Sequence, residues 1–280
     1  MKMRISIVRR ISLALHLLLF VPQVSAQSYE AWVEAGVNAV EADSLYFADY
    51  CFREALKVSP HDVRNALLYA NLAKVQTLQG KPRKAVDTYG LALNIAPLNV
   101  PILMARADLL FQLGNYQQAV LDYGKVLDVD PQNVAALQGC AYIHQRNKDY
   151  AKAQTCYERL LSIQPDNYVA LFGVAILFQE AGKPQEAISR LSALMDKYPD
   201  KAELYAVRAE VEVEQHQLEL AIMDLDKALA LAPDNRDMTL TRAYVHKSMK
   251  NYRLAKHDFE RAIQLGVPRS QLKQELKACK

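Results

Sequence analysis

Residues 113–131 read LGNYQQAVLDYGKVLDVDP, and closely similar segments occur before and after them in the chain. They include QGKPRKAVDTYGLALNIAP at 79–97 and AGKPQEAISRLSALMDKYP at 181–199. The closing prolines of these segments recur every 34 residues, as Pro97, Pro131, Pro165, Pro199 and Pro233. Beyond this run, the spacing is 37 residues back to Pro60 and 35 residues forward to Pro268. A fixed period of this length predicts a fold of stacked helical units.

Small and large side chains occupy fixed places within each unit. A small residue lies twelve residues before each proline, or thirteen in the last unit: Ala48, Ala85, Ala119, Ala153, Ala187, Ala221 and Ala255. A large residue follows four residues later: Phe52, Tyr89, Tyr123, Tyr157, Leu191, Leu225 and Phe259. At this spacing the two share one helix face, so the small residue lets two helix axes approach and the large one fills the space beside them.

Short segments with Gly, Asn or Pro separate two apolar-periodic stretches within each unit. Examples are LGNY at 113–116 and AGKP at 181–184. Such segments end one helix and begin the next within a few residues. Each unit is therefore predicted to be two short amphipathic helices joined by a turn. Helices of this length are not stable alone, so stacking of neighbouring units must stabilise them.

This pattern resembles the tetratricopeptide repeat family over roughly residues 29–268. The first unit carries the fullest set of the family's pattern residues: Trp32, Gly36, Ala48, Phe52, Ala55 and Pro60. Other residues replace the family's turn glycine or its usual aromatic: Asp43, Lys148, His216, Gln76 and Glu212. These departures loosen individual repeats without changing the assignment.

The resemblance implies an all-α fold, a right-handed α-solenoid of seven stacked helix-turn-helix repeats that forms a single domain at 27–280. The repeats are expected near 29–62, 66–99, 100–133, 134–167, 168–201, 202–235 and 236–268. After them, residues 269–280 offer Ser270 as an N-cap, and Leu272 and Leu276 on one helix face. We expect a capping helix there, because solenoids need a polar-faced terminal element. A frayed tail is the alternative.

The first 26 residues have the features of a cleaved secretory signal peptide. A basic start is followed by an apolar run from Ile11 to Val21 and by small residues up to Ala26. A membrane anchor needs about 20 apolar residues, roughly twice this run, so an uncleaved anchor is disfavoured. We expect cleavage after Ala26 and no transmembrane segment in the rest of the chain. Export to a periplasm is predicted, with secretion or peripheral attachment to the envelope as alternatives.

Signal cleavage also changes the charge. It removes four of the 34 Lys and Arg residues and none of the 31 Asp and Glu residues, which leaves a net charge of −1. Nucleic-acid-binding proteins carry a basic excess that neutralises phosphates. No nucleic-acid partner is therefore expected.

Residues with catalytic or metal-binding chemistry form no recognisable motif. The one group worth weighing is Cys140, His144 and Cys156 in the fourth repeat. A structural zinc would need a fourth ligand, an oxidising compartment would allow a disulfide, and free buried thiols are the default. His144 and His246 occupy a position where the family packs an aromatic, so we expect both to be at least half-buried. We predict no enzymatic activity, no metal and no cofactor.

Function is therefore expected to reside in a binding surface. In the tetratricopeptide family, positions 2, 5, 9 and 12 of the first helices line the concave side, counted here from residues 29, 66, 100, 134, 168, 202 and 236. By this resemblance the groove includes Lys74, Met104, Asp108, Phe111, Gln138, Tyr142, Phe172, Ile176, Glu210, Val213 and Tyr244. Apolar surface in a groove favours binding of a peptide or helix. Packing of these side chains against a neighbouring repeat is the alternative.

We expect a non-enzymatic scaffold or adaptor in the cell envelope that holds a peptide or helix segment of a partner protein. The alternative is a self-associating, homo-oligomeric component of an envelope or secretion assembly. Family members that clamp a C-terminal carboxylate use Lys, Asn and Arg at set first-helix positions. Around Lys74 the neighbouring repeats have Val33, Val37, Pro101 and Ala105 instead. That clamp is therefore not expected.

Overall fold

The structure, a computed structural model, describes residues 28–279, so the predicted signal peptide at 1–26 lies outside the described residues. Within that range the chain forms fifteen helices and no strand. In chain order the helices are α1 (Tyr29–Glu41), α2 (Leu45–Val58), α3 (Asn65–Leu78), α4 (Pro82–Ile95), α5 (Val100–Gln112), α6 (Tyr116–Val129), α7 (Val134–Arg146), α8 (Tyr150–Ile163), α9 (Tyr168–Glu180), α10 (Pro184–Lys197), α11 (Ala202–Glu214), α12 (Leu218–Leu231), α13 (Arg236–Ser248), α14 (Tyr252–Gln264) and α15 (Lys273–Ala278).

The helices pack as consecutive pairs. The first helix of a repeat packs against the second, and the second packs on the first helix of the next repeat in the same unit. The prediction of an all-α fold of helix-turn-helix repeats is therefore confirmed. The packing divides the chain into two compact units, one ending at Lys125 and the other beginning at Val126. No helix between residues 28 and 279 combines the length and the apolarity needed to span a membrane.

Every turn within the seven repeats places one residue in the left-handed region of backbone conformation. Glycine fills this place in three repeats and other residues in four: Gly80, Gly114, Gly182, Asp43, Lys148, His216 and Lys250, with φ between 55° and 75°. The left-handed conformation costs a residue with a Cβ about 1–2 kcal/mol. The residues that replace the turn glycine therefore keep the glycine conformation and carry local strain.

The fixed small and large residues form the core. The seven alanines from Ala48 to Ala255 are fully buried, and their seven large partners are at most 7% exposed. Two glycines lie where a large side chain crosses the backbone. A Cβ added at Gly36 would lie 2.3 Å from the Phe52 ring, and one at Gly173 would lie 2.3 Å from the Tyr157 ring. Only glycine allows so close an approach at these two places.

The C-terminal segment packs onto the seventh repeat. Helix α15 begins after Leu272, so Ser270 does not cap it. Leu272 is buried and Leu276 is half-buried, and both pack against a cluster that includes Phe259 and Ala262. A shorter helix than the sequence suggested thus covers the end of the core with apolar side chains.

Candidate binding surface

The eleven predicted groove residues lie on the first helices of repeats two to seven, from α3 to α13. At spacings of three and four residues, positions 2, 5, 9 and 12 share one helix face. Five of the side chains are exposed: Lys74, Asp108, Tyr142, Glu210 and Tyr244. Six are half-buried: Met104, Phe111, Gln138, Phe172, Ile176 and Val213. The first helices therefore present this face outside the fully buried core.

In the unit that ends at Lys125, helix α5 carries three of these residues. The Tyr123 hydroxyl donates a hydrogen bond to the Asp108 carboxylate at 2.6 Å. The Phe111 ring meets the Tyr116 ring edge-on, with centroids 5.3 Å apart. Met104 lies half-buried one turn before Asp108. The result is an apolar strip with one positioned carboxylate.

In the second unit, Tyr142 stands at the wall of a cleft. The cleft has a volume of about 460 Å³ and is lined by Tyr142, Gln145, Arg146, Lys148, Tyr150 and Glu180. Tyr142 is 45% exposed. The Tyr157 hydroxyl donates to Oε1 of Gln145 at 2.9 Å, which fixes one polar edge of the cleft. An aromatic side chain with charged and amide neighbours can hold a mixed apolar and polar ligand.

The other aromatic residues of this unit are partly supported by packing. Phe172 stacks on Tyr168, with ring centroids 5.8 Å apart, and packs against the core cluster of repeats five and six. Tyr244 meets Phe259 edge-on at 5.2 Å, yet keeps 42% of its surface exposed. Val213 packs partly against its own core cluster. Packing therefore explains part of the burial of this face and leaves its aromatic surface accessible.

The two cysteines of repeat four, Cys140 and Cys156, are buried, whereas His144 is half-buried. The neighbouring Cys156 thiol, together with burial, raises the pKa of Cys140. Burial lowers the pKa of His144, which is half-buried. All four cysteines are free and buried thiols. No three potential ligands within residues 28–279 gather to hold a metal ion.

Glu212 departs from the family pattern in the sequence, but its buried environment was not predicted. Glu212, at position 11 of repeat six, is 5% exposed, and its Oε2 has no hydrogen-bond partner among the described residues. Burial and the Asp224 carboxylate raise its pKa to about 7, while Arg208 opposes the shift. The available signal was that Glu212 replaces an aromatic that is usual in the family the sequence resembles. It lies in the core and not on the first-helix face.

Family models described as tetratricopeptide repeat match residues 110–171, 141–212 and 240–265. No curated protein matches the chain. The crystal structure of a tetratricopeptide repeat protein from Parabacteroides merdae ATCC 43184 is similar, with a TM-score of 0.68 and 26% identity. That similarity covers 91% of this chain and 99% of the other.

Two further crystal structures share the fold. YrrB, described as a TPR protein with an unusual peptide-binding site, has a TM-score of 0.54 and 19% identity, over 66% of this chain and 93% of its own. PilW, described as a widely conserved type IV pilus biogenesis factor, has a TM-score of 0.59 and 18% identity, over 72% of this chain and 92% of its own. With the 34-residue period, the paired helices and the matches to the family models, this chain is a tetratricopeptide repeat protein.

Proposed function

We propose that this protein is a non-enzymatic interaction scaffold that binds a peptide or helix segment of a partner protein along its first helices. The observation that carries the proposal is the row of accessible apolar side chains at positions 2, 5, 9 and 12. Tyr142 and Tyr244 remain 45% and 42% exposed, so packing alone does not account for aromatic residues there. Exposed aromatic surface of this kind is typical of protein-binding sites. YrrB, which shares the fold, is described as having a peptide-binding site.

The chemistry of the face defines the segment that it would bind. In one unit Met104 and Phe111, and in the other Tyr142, Phe172 and Ile176, would bury apolar side chains of a segment bound to that unit. The neighbouring polar residues would fix its register through hydrogen bonds: Lys74, Asp108, Gln138 and Glu210. A single segment in such a groove typically binds with micromolar affinity, about −8 kcal/mol.

We further propose that the scaffold works in the cell envelope, most simply in a periplasm. The support is the signal-peptide pattern of residues 1–26. In that setting the partner is a protein exposed outside the cytoplasm. Fusing residues 1–26 to a reporter that is active only after export, and fusing a copy with a shortened apolar run as control, tests this location.

The binding proposal can be tested by capture from a solubilised envelope extract. The protein without residues 1–26 is immobilised beside a variant with alanine at Phe111, Tyr142 and Phe172. A matched control has alanine at Leu121 and Met223, which are 66% and 68% exposed on second helices. We expect the control to retain the same partner as the wild type and the groove variant to lose it.

If the groove variant and the wild type captured the partner equally, the proposal that the partner binds along the first helices would be refuted. If the immobilised protein captured only further copies of itself, the result would favour the alternative, a self-associating component of an envelope assembly. Light scattering distinguishes the two, because the adaptor keeps one mass over a wide concentration range. A mass that rises with concentration would support self-association.

A further inference from the structure

Three repeats share a buried ion pair between their two helices. An arginine at position 7 of the first helix meets an aspartate at position 23: Arg106 with Asp122, Arg208 with Asp224 and Arg242 with Asp258. In each pair Nε and Nη2 donate to the two carboxylate oxygens at 2.6–2.9 Å. The aspartates are at most 6% exposed. This bidentate contact holds each guanidinium in one orientation and leaves its Nη1 for another partner.

In two of the repeats that partner comes from position 25 of the preceding repeat. Nη1 of Arg242 donates to the Asp226 carboxylate at 2.6 Å. Nη1 of Arg208 donates to the Ser192 hydroxyl at 2.9 Å. The chain thus uses position 25 to satisfy the third nitrogen of the guanidinium.

The third arginine, Arg106, faces a glycine at this position. A Cβ added at Gly90 would lie 3.6 Å from Nη1 of Arg106, with no other atom within 4 Å. The space belongs to a cleft of about 590 Å³ that Lys125 also lines. Asp87 also lines the cleft, but neither Arg106 nor Lys125 forms an ion pair with it. The cleft therefore offers an oriented guanidinium nitrogen and an ammonium group to a ligand.

In the equivalent cleft between repeats six and seven, carboxylates of the chain itself bind the basic side chains. That cleft has a volume of about 600 Å³ and contains Arg261 at the place of Lys125, position 26. Nη2 of Arg261 donates to the Asp234 carboxylate at 2.6 Å. At the place of Asp234, position 33, repeat two has Leu98. Arg106 therefore has no equivalent of Asp226, and Lys125 has no equivalent of Asp234.

We infer that the cleft formed by α4, α5 and α6 binds acidic side chains of a partner protein. Their carboxylates take the places that Asp226 and Asp234 fill in the equivalent cleft of the second unit. Because Asp122 already orients Arg106, a guest carboxylate gains a charge-assisted hydrogen bond without ordering the guanidinium first. None of the lining residues is at position 2, 5, 9 or 12, so this site is separate from the surface proposed above.

Fluorescence anisotropy with a fluorescein-labelled hexaglutamate peptide, and hexaglutamine as control, tests this inference at low ionic strength. Gly90→Asp supplies an internal carboxylate at the place of Asp226, and Gly90→Ala controls for the loss of a helix glycine. We expect the wild type and Gly90→Ala to bind hexaglutamate equally and hexaglutamine negligibly. Gly90→Asp should weaken hexaglutamate binding about ten-fold, the loss of one charge-assisted hydrogen bond.

A second variant tests the same site by gain of function. Replacing Asp226 with glycine and Asp234 with leucine opens the equivalent cleft, and should add a second hexaglutamate site of similar affinity. Equal binding of hexaglutamate by Gly90→Asp and the wild type, or equal binding of the two peptides, would overturn the inference. Succinate binding as tightly as the peptide would reassign the cleft to a small dicarboxylate and overturn the choice of a protein partner.

Discussion

Replacing Glu212 with glutamine should remove a pH dependence from the stability of the protein. Glu212 lies buried in α11, with Nε of Arg208 4.0 Å from its Oε1. Its pKa in the folded protein is about 7, against 4.5 for the free side chain, because burial and Asp224 disfavour the charged form. A glutamine is sterically reasonable here, since Gln76 occupies the same position of repeat two and accepts a hydrogen bond from Thr88.

The direction of the effect follows from which state binds the proton. Between pH 4.5 and about 7 the folded protein keeps the proton on Glu212, whereas the unfolded chain has lost it. The stabilising contribution is therefore complete below about pH 4.5, declines as the pH rises, and is lost above about pH 7. At 1.36 kcal/mol per pKa unit, the decline amounts to about 3 kcal/mol. Glutamine does not ionise, so the variant should not lose this contribution.

Urea unfolding followed by circular dichroism, at several pH values between 4 and 8, measures the effect. The free energy of unfolding of Glu212→Gln minus that of the wild type should rise by about 3 kcal/mol from pH 4.5 to pH 7.5. Glu214→Gln, an exposed position on the same helix, serves as control and should follow the wild type. Parallel pH profiles for the wild type and Glu212→Gln would refute the assignment of a raised pKa.

Three further substitutions test the packing of the repeats by urea unfolding. His216→Gly should stabilise the protein by about 0.5–1 kcal/mol, because φ is 59° there, and a loss of stability would contradict the strain. Gly173→Ala should destabilise by about 1–3 kcal/mol, because the new Cβ would lie 2.3 Å from a tyrosine ring. Gly124→Ala, with nothing within 4 Å, should not destabilise, and equal effects of the two would refute the steric reason. Asp258→Ala should cost about 1.5–3 kcal/mol, because Nε and Nη2 of Arg242 lose their buried carboxylate while Nη1 keeps Asp226, and no measurable cost would contradict that role.

The repeat and its core could be predicted from the sequence because they depend on spacing alone. The 34-residue period fixes one small and one large core position in each repeat. In repeat three these are Ala119 and Tyr123, and both are buried as expected. In the structure a left-handed residue recurs at every turn of the seven repeats, whether or not it is glycine. The predicted start of the last helix was wrong, since α15 begins at Lys273 and Ser270 does not cap it. Leu272 becomes buried against the seventh repeat, and tertiary packing of this kind overrides a local capping signal.

The polar pairs between helices were harder to predict, because they join residues sixteen apart on two different helices. Arg106 and Asp122 recur at equivalent places in two other repeats, and Cys140 and Cys156 occupy the same two positions in repeat four. Comparing positions 7 and 23 across repeats would have revealed the pairs from the sequence. The open cleft at Gly90 exists because no acidic side chain faces Arg106 there, and only the three-dimensional structure shows that Gly90 and Arg106 face each other. The accessibility of the first-helix face likewise depends on packing in three dimensions.

The central claim is that the first-helix face holds a partner segment, and site-specific photo-crosslinking in living cells tests it most directly. A photoreactive phenylalanine is placed at Tyr142, which lines the cleft of the second unit. A matched probe is placed at Met223, which is 68% exposed on a second helix of the same unit. We predict a discrete crosslinked partner from position 142 and none from position 223. Crosslinks from position 223 without any from position 142 would contradict the account.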